Sequence, residues 1–101
     1  MLVAKELDYL REQEKIVYSS KTYQPDFTFP KISLVLEIKL CDVKKREKEI
    51  IAEINDDILV YKTKYSNIIF LVYDLGHIRD IDKFKNDLEQ DDMVSVKVVK
   101  H

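Results

Sequence analysis

The chain has 101 residues, 46% of them apolar, and a formal net charge of −2 from 17 Lys plus Arg and 19 Asp plus Glu. This length and apolar share are typical of one small globular domain, so we expect a single domain over residues 1–101. The only glycine excludes a P-loop and a dinucleotide-binding fingerprint, and the only cysteine, Cys41, excludes an internal disulfide and a thiolate zinc cluster.

No stretch of the sequence is long enough to span a membrane. The longest apolar run, residues 68–73, is far shorter than the roughly 20 residues of a membrane-spanning helix. Lys5 and Glu6 interrupt the apolar core of a signal peptide. A lone cysteine suits a reducing compartment, so we expect a cytoplasmic protein without membrane contact.

The first half of the chain begins with a helical pattern. Apolar residues at helical spacing predict an amphipathic helix from Leu2 to about Glu14. A short β-prone run at 16–18 predicts a first strand, and a polar stretch follows over 19–24. Pro25 restricts the residue before it to an extended conformation and favours the start of a strand over 26–29.

A second strand is predicted over residues 34–40, after a turn at 30–33, so that the two strands pair antiparallel. Side chains alternate along it, with four apolar residues on one side and Val35, Glu37 and Lys39 on the other. Because the second side carries charge, we expect substitutions of Glu37 or Lys39 to leave the fold intact.

The second half alternates between helices and strands. We predict a helix over 43–64 with an apolar stripe, a central strand over 67–73, a helix from the Asp80 cap to about Gln90, and an edge strand over 94–99. The stripe consists of Ile51, Ile54, Ile58 and Tyr61. The predicted order is α-β-β-β-α-β-α-β, a mixed α/β sheet flanked by helices.

Two carboxylates and a lysine on the predicted hairpin suggest a site. Asp26 opens one strand and Glu37 lies near the end of its partner, so the two side chains meet at one end of the sheet. Together with the Ile38 carbonyl they supply the oxygen ligands that Mg²⁺ prefers. Lys39, on the same face as Glu37, is suited to neutralising charge that develops on a phosphate. This chemistry is the hydrolysis of a phosphodiester.

The spacing Pro25-Asp26, ten residues, then Glu37-Ile38-Lys39 resembles the signature of the PD-(D/E)XK nucleases. The resemblance covers residues 25–99. Within that superfamily the segments Glu53-Ile54, Asp57-Ile58 and Tyr61-Lys62, followed by 69–74, are similar to the DpnII/MboI-type branch. The resemblance implies a restriction-endonuclease-like fold and an Mg²⁺-dependent endonuclease, with Mn²⁺ as a substitute and DNA rather than RNA as substrate.

The same resemblance implies roles for further residues. An upstream acid belongs to the family pattern, with Glu6 as the first candidate and Glu14 as its rival. Asp57 and Tyr61, one helical turn apart, are candidates to support the site from behind, as is Glu53. A basic run at the start of the long helix is a candidate for contacts with DNA phosphates; it consists of Lys44, Lys45, Arg46 and Lys48.

Alternative interpretations stay open at this point. Glu37 and Lys39 also fit an ordinary solvent-facing pair, Tyr61 fits plain core, and Asp74 with His77 fits a structural turn. A catalytically silent nuclease-like binding or assembly module is the competing function. Because one site cuts one strand at a time, we also expect a homodimer, with the last strand as its contact.

Overall fold

The computed structural model describes residues 8–101, and its centre is a five-stranded mixed sheet. The strands are β1 (Leu10–Arg11), β2 (Ile16–Tyr18), β3 (Lys21–Tyr23), β4 (Phe27–Phe29), β5 (Leu34–Cys41), β6 (Asn67–Asp74) and β7 (Val94–Lys100). The order in the sheet is β1-β4-β5-β6-β7; β1 and β4 pair antiparallel, as do β4 and β5, whereas β5, β6 and β7 run parallel. The helices are α1 (Arg46–Tyr61) and α2 (Ile81–Leu88), and a short 3-10 turn, Pro30–Ile32, joins β4 to β5. This is the predicted mixed α/β architecture.

The two helices cover one face of the sheet. Register places Val35 beside Ile68 and Glu37 beside Phe70, so these side chains share the covered face. Val35, Ile68 and Phe70 are fully buried there, whereas Ile38 on the other face remains 45% exposed. Glu37 and Lys39 therefore lie on the covered side of β5, with Leu34, Leu36, Ile38 and Leu40 on the more open one, so the alternative of an ordinary solvent-facing pair is wrong.

Helix α1 packs across β5 and β6 through a stripe close to the predicted one. Its buried residues are Ile50, Ile54, Asp57, Val60 and Tyr61. Ile51 and Ile58, predicted as core, are only partly buried and pack at its margin. The stripe is rotated towards a carboxylate, Asp57, which apolar periodicity cannot detect.

Helix α2 begins where the sequence predicted. The Asp80 carboxylate accepts the Lys83 N–H at 3.0 Å and caps the helix. Before it, buried Asp74 accepts the backbone N–H groups of Gly76, His77 and Ile78 at 2.8–3.3 Å. The interpretation of Asp74 and His77 as a structural turn is confirmed.

The N-terminal part departs from the expected helix. Over 8–14 that prediction is wrong: Asp8 and Glu12 have positive φ, and Leu10–Arg11 pair with Phe27 and Thr28. The earlier part of the predicted helix, 2–7, lies outside the described residues. β2 is confirmed, and it forms a hairpin with β3, which the sequence did not predict, around Ser19 and Ser20, both at positive φ.

None of the helices within residues 8–101 is long and apolar enough to cross a membrane.

Candidate active site

The antiparallel pairing of β4 and β5 brings Asp26 and Glu37 together. Phe27 pairs with Leu36, so Asp26, just before β4, lies opposite Glu37. The Asp26 N–H donates to Glu37 Oε1 at 2.9 Å, and the Ile38 N–H donates to Asp26 Oδ2 at 2.8 Å. This reciprocal pair of bonds fixes both carboxylates at one point, as the sequence predicted.

Lys39 lies beside Glu37 among three carboxylates. Its Nζ is 3.0 Å from Asp57 Oδ2, 3.3 Å from Glu53 Oε1 and 3.8 Å from Glu37 Oε2. The Lys39 side chain is only 12% exposed. Two strand residues and two helix residues therefore form one charged cluster under α1.

Burial and charge act in opposite directions on the lysine. Burial lowers the pKa of Lys39, but the neighbouring charges of Asp57, Glu37 and Glu53 outweigh it, and the net pKa lies above the ordinary value. The ammonium therefore stays charged at neutral pH. It is suited to stabilising negative charge rather than to accepting a proton.

In Glu37, by contrast, the shift in pKa favours the uncharged form of the side chain. Burial raises the pKa of Glu37 from 4.5 to about 7, and repulsion from Asp26 and Asp57 adds to this, although the Asp26 N–H and Lys39 oppose it. A nearby cation stabilises the ionised form of such a carboxylate, because the positive charge offsets both the desolvation and the repulsion.

Asp57 and Tyr61 support this cluster from α1. Asp57 is 7% exposed, and burial raises its pKa although Lys39 opposes the shift. Its Oδ2 contacts Lys39 as an ion pair and accepts no hydrogen bond of good geometry from the described residues. Tyr61 is 1% exposed, and burial raises the pKa of its hydroxyl, with further repulsion from Glu37, Asp57 and Asp26.

Glu53 connects the cluster to the start of α1. Arg46 donates to Glu53 Oε2 at 2.6 Å and to Glu49 Oε1 at 3.1 Å. The bond from Arg46 holds the pKa of Glu53 below its usual range, with burial opposing and Lys39 assisting. Arg46 is thus bound to two carboxylates, unlike its basic neighbours.

The upstream acid is not identified. Glu14 accepts from Lys64 at 2.8 Å and from the Tyr65 hydroxyl at 3.1 Å, and these bonds lower its pKa. It contacts neither Asp26 nor Glu37 through any of these bonds. Glu6, the first candidate, lies outside the described residues.

A comparison with models of known protein families identifies the family of this chain. The model of the DpnII-MboI restriction endonucleases, REase_DpnII-MboI, matches residues 2–101. The chain belongs to the DpnII-MboI restriction endonuclease family. No curated protein and no solved structure matched it.

Membership of the DpnII-MboI family supports a nuclease that acts on DNA, and the mixed sheet is consistent with the restriction-endonuclease-like fold. Among residues 8–101, no three His, Cys, Asp or Glu side chains surround a common point as a ready metal site. Two carboxylates do converge, however. Asp26 Oδ2 accepts from the Ile38 N–H, whereas Asp26 Oδ1 accepts no hydrogen bond from the described residues.

This donor set fits a small divalent cation. Mg²⁺ commonly takes one or two protein carboxylates and fills its other positions with waters and substrate phosphate. Asp26 and Glu37 would supply the carboxylates, and Ile38, whose N–H binds Asp26, lies between Glu37 and Lys39 in β5.

The other residues of the predicted basic run lie apart from the carboxylates. Lys44, Lys45 and Lys48 line a cavity of about 560 Å³ together with Arg79, which precedes the α2 cap. The sequence analysis missed Arg79, since a single arginine before an N-cap has no periodic signal. It also missed Lys21 and Tyr23, whose side chains bind Asp56 next to Asp57 at 3.3 and 2.8 Å.

Proposed function

We propose that this protein is a divalent-metal-dependent endonuclease that hydrolyses phosphodiester bonds in DNA, with Asp26, Glu37 and Lys39 as its catalytic residues. The observation that carries the proposal is the meeting of these three side chains at the β4–β5 pairing. Family membership supports the reaction class.

Asp26 and Glu37, with the Ile38 carbonyl, are the proposed holders of Mg²⁺, for which Mn²⁺ can substitute. When bound, such an ion polarises the phosphate and makes a bound water more acidic. The protein's own part is to hold the two carboxylates rigidly, which the two bonds of 2.8 and 2.9 Å to backbone N–H groups accomplish.

Lys39 supplies a fixed positive charge beside that position. Because Asp57 and Glu53 hold its ammonium from the α1 side, its Nζ is oriented before substrate arrives. A preoriented charge stabilises the negative charge of a pentavalent phosphate without reorganisation cost. Asp57, Glu53 and Tyr61 are proposed as positioning residues, since they act through Lys39 and Glu37.

The test is cleavage of double-stranded DNA with Mg²⁺, Mn²⁺ or a chelator, using wild type, Glu37→Ala and the control Asp92→Asn. Asp92 is an exposed acid in the turn before β7. We expect cleavage by wild type and the control only with metal, and none by Glu37→Ala. Equal activity of Glu37→Ala and wild type would contradict the assignment and indicate a contaminating nuclease.

A silent binding or assembly module is the competing function, and the net charge of −2, which is unfavourable for attachment to DNA, favours it. Metal binding and DNA cleavage, measured together, distinguish the two functions. If Mg²⁺ raises the melting temperature of wild type but not of Asp26→Asn, the site binds metal. DNA binding without cleavage under any metal would then favour the silent module.

Three broader predictions from the sequence stay proposals. These are a single nuclease domain over 1–101, a cytoplasmic location and a homodimer. For the homodimer, β7 does lie at the edge of the sheet, as predicted. However, the Val96 N–H donates to the Glu89 carboxylate at 2.6 Å, so part of that edge is already bonded.

A further inference from the structure

A basic cavity lies between the beginnings of α1 and α2. Its wall holds four cationic side chains, Lys44, Lys45, Lys48 and Arg79, against one acidic side chain, Glu47, in a protein whose net charge is −2. None of the four forms an ion pair with a residue in the described part of the chain. Concentrated positive charge without internal partners indicates an anionic ligand.

The neighbouring part of the same groove shows that the charge is segregated. A second cavity shares Glu47, Ile51 and Arg79 but continues along α2 past Asp80 and Asp87. There Lys83 is already paired with Asp87 at 2.7 Å. Only the end near Lys44 and Lys48 is therefore suited to an anion.

Arg79 is held in this place by its neighbours. The preceding residue, Ile78, is buried and its N–H is bound by Asp74, while the following residue, Asp80, caps α2. Both flanking residues are thus fixed, and the side chain of Arg79 starts from a rigid backbone. On the other wall, α1 begins without a side-chain cap, so the positive end of its dipole adds to the potential.

The cavity and the carboxylates lie at the same edge of the sheet. β5 and β6 are parallel, so the segments that lead from them into α1 and α2 emerge together, and Glu37 and Lys39 lie in the middle of β5. Arg46 directly follows the cavity residue Lys45 and donates to Glu53, whose Oε1 lies 3.3 Å from Lys39 Nζ, so the cavity adjoins the carboxylate cluster.

We propose that this cavity binds a backbone phosphate of DNA that flanks the bond that is cut. The inference rests on the proposed function, because it takes the carboxylate cluster as the place of cleavage. It differs from the sequence-based expectation in two residues: Arg79 takes part, and Arg46 does not, because its guanidinium binds Glu49 and Glu53. The cavity positions DNA and takes no part in hydrolysis.

The experiment measures binding of a fluorescent synthetic duplex over a series of salt concentrations, in a chelator so that no cleavage occurs. It compares wild type, K48Q/R79Q and the control K62Q/K97Q, which removes the same charge at two exposed lysines elsewhere. Each lost phosphate contact lowers the slope of log affinity against log salt by about 0.9. We expect K48Q/R79Q to lose about one such unit and several-fold affinity, and the control to retain both.

Cleavage assays then separate this inference from the proposed function. With Mg²⁺ we expect K48Q/R79Q to show a raised KM and a wild-type kcat, since neither residue contacts the reacting phosphate. Wild-type affinity and salt slope in K48Q/R79Q, or no DNA binding by wild type, would overturn the phosphate site. If wild type binds DNA through these residues but never cleaves it, the phosphate site stands and the endonuclease proposal fails.

A second variant protects the test against misfolding. K44Q/K45Q changes only the two exposed lysines before α1, so it leaves the loop around Arg79 untouched. We expect the same reduction in salt slope with an unchanged melting temperature. Full wild-type binding by this variant would also count against the proposal.

Discussion

Lys39 Nζ lies 3.0 Å from Asp57 Oδ2, which joins the middle of β5 to the middle of α1 through an ion pair whose side chains are only 12% and 10% exposed. The pair lies on the face where the sheet packs against the helix. A charge there depends on its partner, because water reaches neither group well. The pair therefore contributes to the fold as well as to the candidate site.

Lys39→Met is expected to destabilise the protein by about 3 kcal/mol, because it leaves Asp57 buried without its counter-charge. Guanidinium unfolding of wild type, Lys39→Met and the double variant Lys39→Met/Asp57→Asn measures this. The double variant should recover most of the loss, since the side chain left at position 57 is then neutral. If Lys39→Met is as stable as wild type, the ion pair has no structural role and the sequence-based expectation of an intact fold holds.

The faces of β5 show what alternation alone can and cannot predict. The strand, its antiparallel partner and the shared face of Glu37 and Lys39 follow from period-two patterning. Which face is covered does not, because Val35 and Cys41 share it with two charges while Leu36, Ile38 and their neighbours form a longer apolar run. The packing of the helices, which is a tertiary property, determines which face of β5 is covered.

The site could be predicted in its centre but not at its margins. Asp26, Glu37 and Lys39 lie on one hairpin, so local spacing brings them together. Glu53 and Asp57 reach Lys39 only through the docking of α1, and Arg79 reaches Lys44 only through the parallel order of β5 and β6. The β2–β3 hairpin was missed because Lys21–Tyr23 has a polar composition and is stabilised by Asp56 on α1.

Glu37 makes stability depend on pH in the absence of metal. Its folded-state pKa of about 7 lies above the usual 4.5, so the folded state binds a proton more tightly than the unfolded state. The resulting stabilisation is complete below pH 4.5 and is lost as the pH rises through 7. It amounts to about 3 kcal/mol at 1.36 kcal/mol per pKa unit.

Glu37→Gln resembles the protonated form and should therefore be as stable as wild type near pH 4.5 and more stable above pH 7. Thermal melting in a chelator, at a series of pH values, measures the difference. Glu12→Gln, at an exposed glutamate whose side chain forms no ion pair among the described residues, is the control and should follow wild type throughout. Parallel pH profiles of wild type and Glu37→Gln would contradict the raised pKa.

Asp74 and Asp80 both bind backbone N–H groups before or at α2, but to different degrees. Asp74 is fully buried and accepts from three residues, whereas Asp80 is exposed and accepts from one. Asp74→Ala should destabilise by about 3 kcal/mol, because it leaves the buried Ile78 N–H and two partly buried N–H groups without their acceptor. Asp80→Ala should cost only about 1 kcal/mol, the usual loss of an N-cap. Urea unfolding of the two variants tests the order, and equal losses would refute it.

Self-association through β7 would be limited by Glu89. The Val96 N–H points away from β6 and donates to the Glu89 carboxylate at 2.6 Å, so this outward group is bonded before any partner strand arrives. If β7 is the dimer contact, Glu89→Ala frees this N–H and should shift the monomer–dimer equilibrium towards dimer.

Strand geometry points the Val98 N–H in the same direction as the Val96 N–H. Val98→Pro should therefore remove a donor at the edge of β7, leave the β6 pairing intact and weaken the dimer. Light scattering over a concentration series measures all three proteins. A monomer mass for each of them, with nicking of single strands as the only cleavage, would remove β7 as a contact and leave the endonuclease proposal standing.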